Sequence, residues 1–359
     1  MNYINSKLIF KDVPSGNVGW QSPSNIALVK YWGKKEFQIP ANPSLSFTLQ
    51  KSLTKTVVKF SPSSRKESQV KFYLSENLNE DFAAKISVFF KSLAEIFPFI
   101  NQLDFTINSE NTFPHSAGIA SSASGMSAIA LALCEIERKY FNTFSSEDKF
   151  LQKASYISRL GSGSACRSIY GGLVSWGEIT GVDGSSNLYA SKLTEKLNPV
   201  FENYHDSILI VDSAQKKISS RVGHGLMNSN PFSKKRFEQA NNNIQLLLSV
   251  INSGDLDEFV RIVETEALTL HAMMMTSNPS YILMKPATIS IIERIRQFRA
   301  DTGIQACFTL DAGPNIHLLY PHDNKDEVLK FINSELLIFT NNNTVIHDCV
   351  GRGPEKIEI

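Results

Sequence analysis

A run of small residues in the segment from Asn111 to Tyr140 leads into an apolar sequence. From Pro114 to Gly125 the residues are almost all Gly, Ser or Ala, and beyond Gly125 the Ala- and Leu-rich pattern predicts a helix. A helix start offers unpaired backbone N–H groups and a partial positive charge, and small side chains let an anion reach the backbone. The segment therefore predicts a phosphate site, although a Ser-rich turn that only caps a buried helix would have the same composition.

A second segment of this kind, GSGSACRSIYGG, spans residues 161–172. Ser162, Gly163 and Ser164 supply hydroxyl and backbone donors at a predicted helix start, and Arg167 lies one turn further on the same face. A guanidinium in that place could bind the same anion through two N–H groups. A capped surface helix that happens to carry an arginine is the alternative.

A carboxylate and two lysines complete the set of residues that could do chemistry. Asp311 ends an apolar strand just before an AGPN turn, where its carboxylate could face a site or only brace the turn. Lys30 and Lys34 bracket an aromatic pair where a strand breaks into a loop. These lysines could meet a phosphorylated ligand, or they could be a solvated pair beside a packed Trp.

The elements that must position these residues alternate between strand and helix patterns. From Asn17 the pattern predicts strand, turn, strand, loop and strand, after a loose arm or edge strand over residues 1–16. Further strands are predicted at 55–60, 70–74, 103–108, 170–176, 206–212, 306–311 and 343–350, with a strand connection at 180–191. Helices are predicted at 79–97, 126–140, 145–161, 231–251, 255–275, 286–300 and 324–334, and a domain boundary at 190–200.

Composition excludes several classes of function. The 359 residues carry a formal net charge of +1, so no nucleic-acid or anionic-membrane surface is predicted, and no segment is apolar enough to span a membrane. The four widely spaced cysteines favour reduced thiols in the cytoplasm. HExxH, GxSxG, Walker and dinucleotide motifs are missing from the sequence, and no transition-metal site built by the protein is predicted.

The order of these motifs resembles the GHMP kinase superfamily and, within it, the diphosphomevalonate decarboxylase family. The family pattern Asn-Ile-Ala-x-x-Lys-Tyr-Trp-Gly-Lys stands here as NIALVKYWGK at 25–34, followed by PANPSLS at 40–46. RLGSGSACRSIYGG at 159–172, SSR at 219–221 and DAGPN at 311–315 also match. The chain departs from the pattern in PHSAGIASSASG at 114–125, where Thr-Ala-Ala-Gly-Leu usually follows the proline, and in Ala-Asn-Pro at 41–43.

The resemblance implies an α+β, two-lobed fold with a ribosomal-protein-S5-like N-terminal domain (1–195) and a ferredoxin-like α/β sandwich (196–359). It implies decarboxylation of (R)-5-diphosphomevalonate with ATP and Mg²⁺, in which Asp311 orients or deprotonates the tertiary hydroxyl and Lys30 offsets charge. The substrate-binding residues it implies are Asn25, Tyr31, Lys34, Ser162, Gly163, Ser164, Arg167, Ser220 and Arg221. The nucleotide-binding residues it implies are Ser109, Asn111, Pro114, Gly118, Ala120, Ser121, Ser122 and Ala123.

The sequence is also compatible with other activities on the same fold. The chain could be a kinase, or a decarboxylase for mevalonate or a mevalonate monophosphate, or a ligand sensor without catalysis. Lys30, Asp311 and both anion-binding segments speak against a sensor. The resemblance also suggests a homodimer, with no nucleic-acid or membrane partner.

Overall fold

The computed structural model describes residues 3–65, 67–114, 119–193, 197–213 and 220–359, without the side chains of Ser220 and Arg221. The strands are β1 (Gly16–Val29), β2 (Ser44–Pro62), β3 (Val70–Leu74), β4 (Asn77–Leu78), β5 (Leu103–Asn111), β6 (Leu173–Gly177), β7 (Ser186–Lys192), β8 (His205–Leu209), β9 (Cys307–Thr309), β10 (Ile316–Tyr320), β11 (Val345–Cys349) and β12 (Glu355–Ile357). The helices are α1 (Glu80–Ser92), α2 (Ser121–Phe141), α3 (Glu147–Gly161), α4 (Ser220–Leu226), α5 (Ser233–Ser253), α6 (Leu256–Met275), α7 (Pro286–Thr302) and α8 (Lys325–Phe331).

The first lobe is built on a sheet with the strand order β12-β1-β2-β5-β3-β4, to which β6 and β7 are added alongside the first part of β2. Helices α1, α2 and α3 cover one face and bury a core rich in Phe, Ile and Leu against it. The small Ala and Ser residues of α2 let that helix approach β1 closely, and Ser127 and Ser22 share a hydrogen bond between their hydroxyls. This packing fixes the N-terminal part of α2 against the middle of β1.

The second lobe is a four-stranded antiparallel sheet with the order β11-β8-β10-β9. Alternate residues of these strands face α5 and α6 on one side and α7 and α8 on the other. The core on the α5 side also contains Ile26, Leu28 and Leu45 from the first lobe, so apolar packing is continuous between the lobes. As a result, the C-terminal end of β1 is held against the second lobe.

Most predicted elements are present, and two predictions were wrong. The turn predicted inside the first strand is absent from the described residues, because β1 runs without interruption from Gly16 to Val29. Register shifts at Pro23/Asn25 and Ala27/Val29 bend this strand, as expected where a proline cannot donate to the ladder. The second half of the predicted connection at 180–191 is strand β7, since its polar residues pair with β6 at the sheet edge.

Two other differences concern the predicted anion-binding segments. Helix α2 begins at Ser121, five residues before the predicted start, so Ser121 and Ser122 lie in its first turn. The segment Gly163–Ile169 is a 3-10 helix. Sheets with helices on their faces and mostly antiparallel pairing make the fold α+β, as predicted. In the part of the chain that is described, no helix combines the length and hydropathy needed to cross a membrane.

Candidate active site

Lys30 and Asp311 come from different lobes and form an ion pair. Lys30 follows the last residue of β1, Asp311 follows β9, and Lys30 Nζ lies 2.9 Å from Asp311 Oδ1. The lysine side chain is 2% exposed and the aspartate side chain 28% exposed, so solvent reaches only the carboxylate. Burial lowers the pKa of Lys30, and the charges of Asp311 and Glu266 oppose that change. The accessible group in this pair is therefore a carboxylate with a buried cation behind it.

Arg167 is the second buried cation of the site. Its Nε donates to Ser46 Oγ at 3.0 Å and to Asn25 Oδ1 at 3.3 Å, and its Nη1 donates to Ser44 Oγ at 2.6 Å. These partners are neutral, and within the described ranges no carboxylate lies at ion-pair distance from this guanidinium. Arg167 is 3% exposed, and burial lowers its pKa. A buried cation without a direct counter-charge is an arrangement that an anionic ligand would complete.

The aromatic residues after β1 form the wall between Arg167 and α4. The ring of Tyr31 lies 4.7 Å from Trp176 and 4.2 Å from the imidazole of His224, centroid to centroid. Gly163 permits this packing, because a Cβ there would come within 2.8 Å of the Tyr31 hydroxyl. The fixed ring places the Tyr31 hydroxyl, whose pKa burial raises, beside the start of the 3-10 helix, where Ser162 is the N-cap and Ser164 lies in the first turn.

His224 holds the turn that contains Lys34. Its Nδ1 accepts a hydrogen bond from the backbone N–H of Gly33 at 3.0 Å, and its ring packs at a tilt against the rings of Tyr31 and Trp32. Gly33 has φ +102°, a conformation that other residues rarely adopt. On the far side of the turn, Lys34 Nζ donates to Gln38 Oε1 at 2.9 Å. Neutral imidazole is required for the contact with Gly33, because only an unprotonated nitrogen accepts.

The charge state of His224 gives a testable dependence of stability on pH. Burial, with Lys34 and Arg167 nearby, lowers the pKa of His224 to about 3. The unfolded chain binds a proton near pH 6.5 and the folded chain does not, so the free energy of unfolding falls as pH decreases from 6.5 to 3. Between pH 7 and pH 5 the titration of His224 alone should lower the free energy of unfolding by about 2 kcal/mol. Urea unfolding of wild type and His224→Asn at both pH values measures the difference, since Asn keeps an acceptor for Gly33 but does not titrate; equal losses in both proteins would contradict the assignment.

The start of α2 lies on the first lobe near the end of β1. Ser24 Oγ donates to the carbonyl oxygen of Ile119, which ties this segment to β1. Ala120 has φ +46°, in the left-handed region, and directly precedes the helix. Ser121 is partly exposed and Ser122 is exposed, whereas Ala123 is buried. Thus the backbone N–H groups of the first turn are backed by small residues, and the two hydroxyls are accessible.

Other residues predicted to bind nucleotide lie around this helix start. Asn111 Oδ1 accepts from Thr54 Oγ1 at 2.7 Å, and Thr54 contacts Ser124 of α2. Ser109 is buried and bonds with Thr56, so its hydroxyl is engaged inside the sheet, and Pro114 is exposed. Gly118 lies outside the described residues, as does Ser219 of the SSR motif. Ser220 and Arg221 begin α4, and the structure describes only their backbone.

Sequence reasoning missed several residues that shape this site. Ser44 and Ser46 stand in the PANPSLS motif that was recognised, but no role was given to them. No recognised motif contains His224, Glu266 or His271, which stand only in or near predicted helical or basic segments. His271 Nε2 lies 3.1 Å from the backbone oxygen of Asp311, and Glu266 accepts the backbone N–H of Lys30. Only the fold brings these side chains to the site.

A helix that starts in a small-residue loop, a buried lysine–aspartate pair and a second buried cation define a site of the GHMP kinase superfamily. Residues 22–188 match the model of the diphosphomevalonate decarboxylase-like N-terminal domain, and residues 207–357 match the mevalonate 5-diphosphate decarboxylase C-terminal domain. Diphosphomevalonate decarboxylase of Schizosaccharomyces pombe is 31% identical over 330 residues, which are 86% of this chain and 79% of that protein.

Solved structures agree with the sequence comparison. A structure of MDDEF in complex with MVAPP, AMPPCP and magnesium is 26% identical, with a TM-score of 0.82 over 96% of this chain and 100% of that one. The mevalonate diphosphate decarboxylase from Enterococcus faecalis, in a structure on its mevalonate diphosphate mediated ATP binding mechanism, is 26% identical, with a TM-score of 0.81 and the same coverage. The chain belongs to the diphosphomevalonate decarboxylase family. The family and fold predicted from the sequence are thereby confirmed.

Proposed function

We propose that this chain decarboxylates (R)-5-diphosphomevalonate with ATP, giving isopentenyl diphosphate, CO2, ADP and phosphate, and that Asp311 and Lys30 are the catalytic residues. The observation that carries the proposal is the contact between Lys30 and the accessible carboxylate of Asp311, in a site whose other buried cation, Arg167, lacks a carboxylate partner among the described residues. The family assignment and the relatives' structures with MVAPP and AMPPCP support it.

Asp311 acts on the tertiary hydroxyl of the substrate. In the first step the carboxylate accepts the hydroxyl proton while the oxygen attacks the terminal phosphorus of ATP, and ADP leaves. Lys30 stays charged behind the carboxylate and offsets negative charge as the phosphoryl group moves. In the second step the C–O bond to phosphate breaks, the electrons of the C–CO2 bond form the alkene, and CO2 departs. The electrons balance without an external oxidant or reductant.

The anionic parts of the substrate are held by residues on both sides of the aromatic wall. We assign the diphosphate and carboxylate to Arg167 and Lys34, with the hydroxyls of Tyr31, Ser162 and Ser164 and the backbone of Gly163. Asn25 acts through Arg167, because Asn25 Oδ1 accepts hydrogen bonds from the Arg167 guanidinium. Ser220 and Arg221, at the start of α4, are assigned to the same anions on the motif alone.

The ATP phosphates are assigned to the first turn of α2. The N–H groups at this helix start and the accessible Ser121 and Ser122 suit an anion, and Ala120 and Ala123 leave space for it. Within the described ranges no group of three or more His, Cys, Asp or Glu could hold a metal ion. Mg²⁺ would then be held mainly by phosphate oxygens and water with Ser121 or Ser122 beside them, and it would offset the phosphate charge.

The decisive experiment is a turnover assay with mevalonate, its 5-phosphate and its 5-diphosphate. We expect CO2 and ADP in equal amounts with the diphosphate. With the monophosphate we expect a kcat/KM at least roughly 100-fold lower, because the smaller anion would leave the buried cation Arg167 without part of its counter-charge. ADP without CO2 would identify a kinase, and equal turnover of both phosphates would identify a broader decarboxylase. The matched control is the same assay without ATP, which should release no CO2.

Three further features stay proposals. We propose a cytoplasmic location, since all four cysteines are free and three of them are buried. We propose a homodimer by analogy with the family, which sedimentation would test. The domain division at 195/196 is proposed as well, with the qualification that β12 from the C-terminal part pairs with β1 in the first sheet.

A further inference from the structure

Helix α6 contacts the backbone of both proposed catalytic residues. Glu266 Oε2 accepts the backbone N–H of Lys30 at 2.8 Å. Five residues further along the helix, His271 Nε2 lies 3.1 Å from the backbone oxygen of Asp311. A carbonyl oxygen only accepts, so His271 must carry its proton on Nε2 and donate it. One rigid element thus holds two residues that come from different lobes.

Glu266 is itself fixed from several directions. Arg236 Nη1 and Asn243 Nδ2, both on α5, donate to Glu266 Oε1 at 2.7 Å each. Arg236 Nη2 also donates to the backbone oxygen of Lys30 at 3.2 Å, so the N–H and the C=O of Lys30 are both held by this ion pair. The side chains of Arg236 and Glu266 are 0% exposed, which keeps them away from any substrate.

We propose that α6 sets the distance between Lys30 Nζ and Asp311 Oδ1, with Glu266 and His271 as positioning residues. Each side chain contacts a backbone group of Lys30 or Asp311, and it acts through that group. The inference rests on the proposed catalytic roles of Lys30 and Asp311. Proton transfer and phosphoryl transfer depend on separations of a few tenths of an ångström, so a shift of about 1 Å in either backbone can cost roughly 100-fold in rate.

The first test compares two substitutions of His271. His271→Gln keeps an N–H donor of similar reach, and His271→Leu removes it while retaining volume. We expect kcat to fall about 30- to 100-fold in His271→Leu and to recover to within about threefold of wild type in His271→Gln, with the KM values for ATP and substrate unchanged in both. Equal kcat values in the two variants would overturn the role of His271.

The second test removes the buried pair without leaving one charge unpaired. Glu266→Leu/Arg236→Met should fold, because an apolar pair can replace a buried ion pair. Its kcat should fall about 30- to 100-fold at unchanged KM. The basic limb of the kcat profile should move to lower pH, because Glu266 is one of the charges that keep the Lys30 pKa up. A general loss of stability would not move that limb.

A matched control is available in the first lobe. Lys153 and Glu137 form a comparably buried ion pair between α3 and α2, with 2.6 Å between Nζ and Oε2 and no bond to Lys30 or Asp311. Glu137→Leu/Lys153→Met should change the unfolding midpoint as the other pair does and keep kcat within about twofold of wild type. If both double variants lose activity equally, the α6 effect is only one of stability and the proposal fails.

The catalytic role of Asp311 and the positioning role of α6 can be contradicted independently. Near-normal turnover in Asp311→Asn would remove the proposed function of Asp311, whatever α6 does. A slow Asp311→Asn together with fully active His271→Leu and Glu266→Leu/Arg236→Met would leave the catalytic assignment in place and overturn only the role of α6.

Discussion

Asp311→Asn should bind ATP and 5-diphosphomevalonate nearly as wild type does and turn them over about 10³-fold more slowly. General-base catalysis by a positioned carboxylate contributes roughly 10²- to 10⁴-fold, and Asn has the shape of Asp without its basicity. The loss should fall on kcat, because the group acts on the proton that moves in the transition state. Steady-state kinetics with separate titrations of each substrate, and equilibrium binding of an ATP analogue, measure the two parts of this claim.

The substitution also changes Lys30, and a control separates that effect. Asp311 is the leading charge that opposes the lowering of the Lys30 pKa by burial, so Asn should leave a lysine that is more easily deprotonated. Activity of Asp311→Asn that rises steeply as pH decreases would assign part of the loss to Lys30. If the loss of activity does not vary with pH, its cause is the missing base. Wild-type kcat in Asp311→Asn at any pH would exclude Asp311 from catalysis.

The residues proposed to bind ligands could be identified from the sequence because they stand in short local motifs. Lys30 follows a strand inside NIALVKYWGK, Arg167 lies six residues after Gly161 in a Gly- and Ser-rich segment, and Asp311 ends a strand before a tight turn. In each case a charged residue stands at the end of a strand or near the start of a helix, and this is enough to suggest the chemistry. The contact between Lys30 and Asp311 was only an expectation, because 281 positions separate them.

The residues that hold the site could not be found in this way. Glu266 and His271 are single polar residues on an amphipathic helix, where a solvated position is the usual expectation. Their partners are 236 and 40 positions away, and the contacts exist only once the lobes have packed together. The turn predicted within β1 failed for a related reason. Pro23 reads locally as a strand breaker, but pairing with β2 on either side carries the strand through a bulge.

Arg167→Met should lose substrate binding without losing stability, and this combination distinguishes a ligand-binding arginine from a structural one. In the free protein Arg167 is a buried cation held by Asn25, Ser44 and Ser46, all of them neutral. Removing its charge relieves a desolvation cost that the charge of Asp311 offsets only in part, and the hydrogen bonds lost to the three neutral partners oppose that gain. The unfolding midpoint of Arg167→Met in the absence of ligand should therefore stay within about 3 °C of wild type.

Binding of the diphosphate should respond in the opposite direction. Loss of a buried, charge-assisted contact to an anion costs about 3–4 kcal/mol, which corresponds to a decrease in kcat/KM of roughly 10²- to 10³-fold for 5-diphosphomevalonate. The affinity for an ATP analogue should be nearly unchanged, because the nucleotide is assigned to α2. Arg167→Lys serves as the control: it keeps the charge, but it cannot bond to Asn25, Ser44 and Ser46 together, so it should recover only part of the loss. If Arg167→Met unfolds more easily and still binds substrate normally, Arg167 supports the sheet, and the diphosphate must lie elsewhere in the cleft.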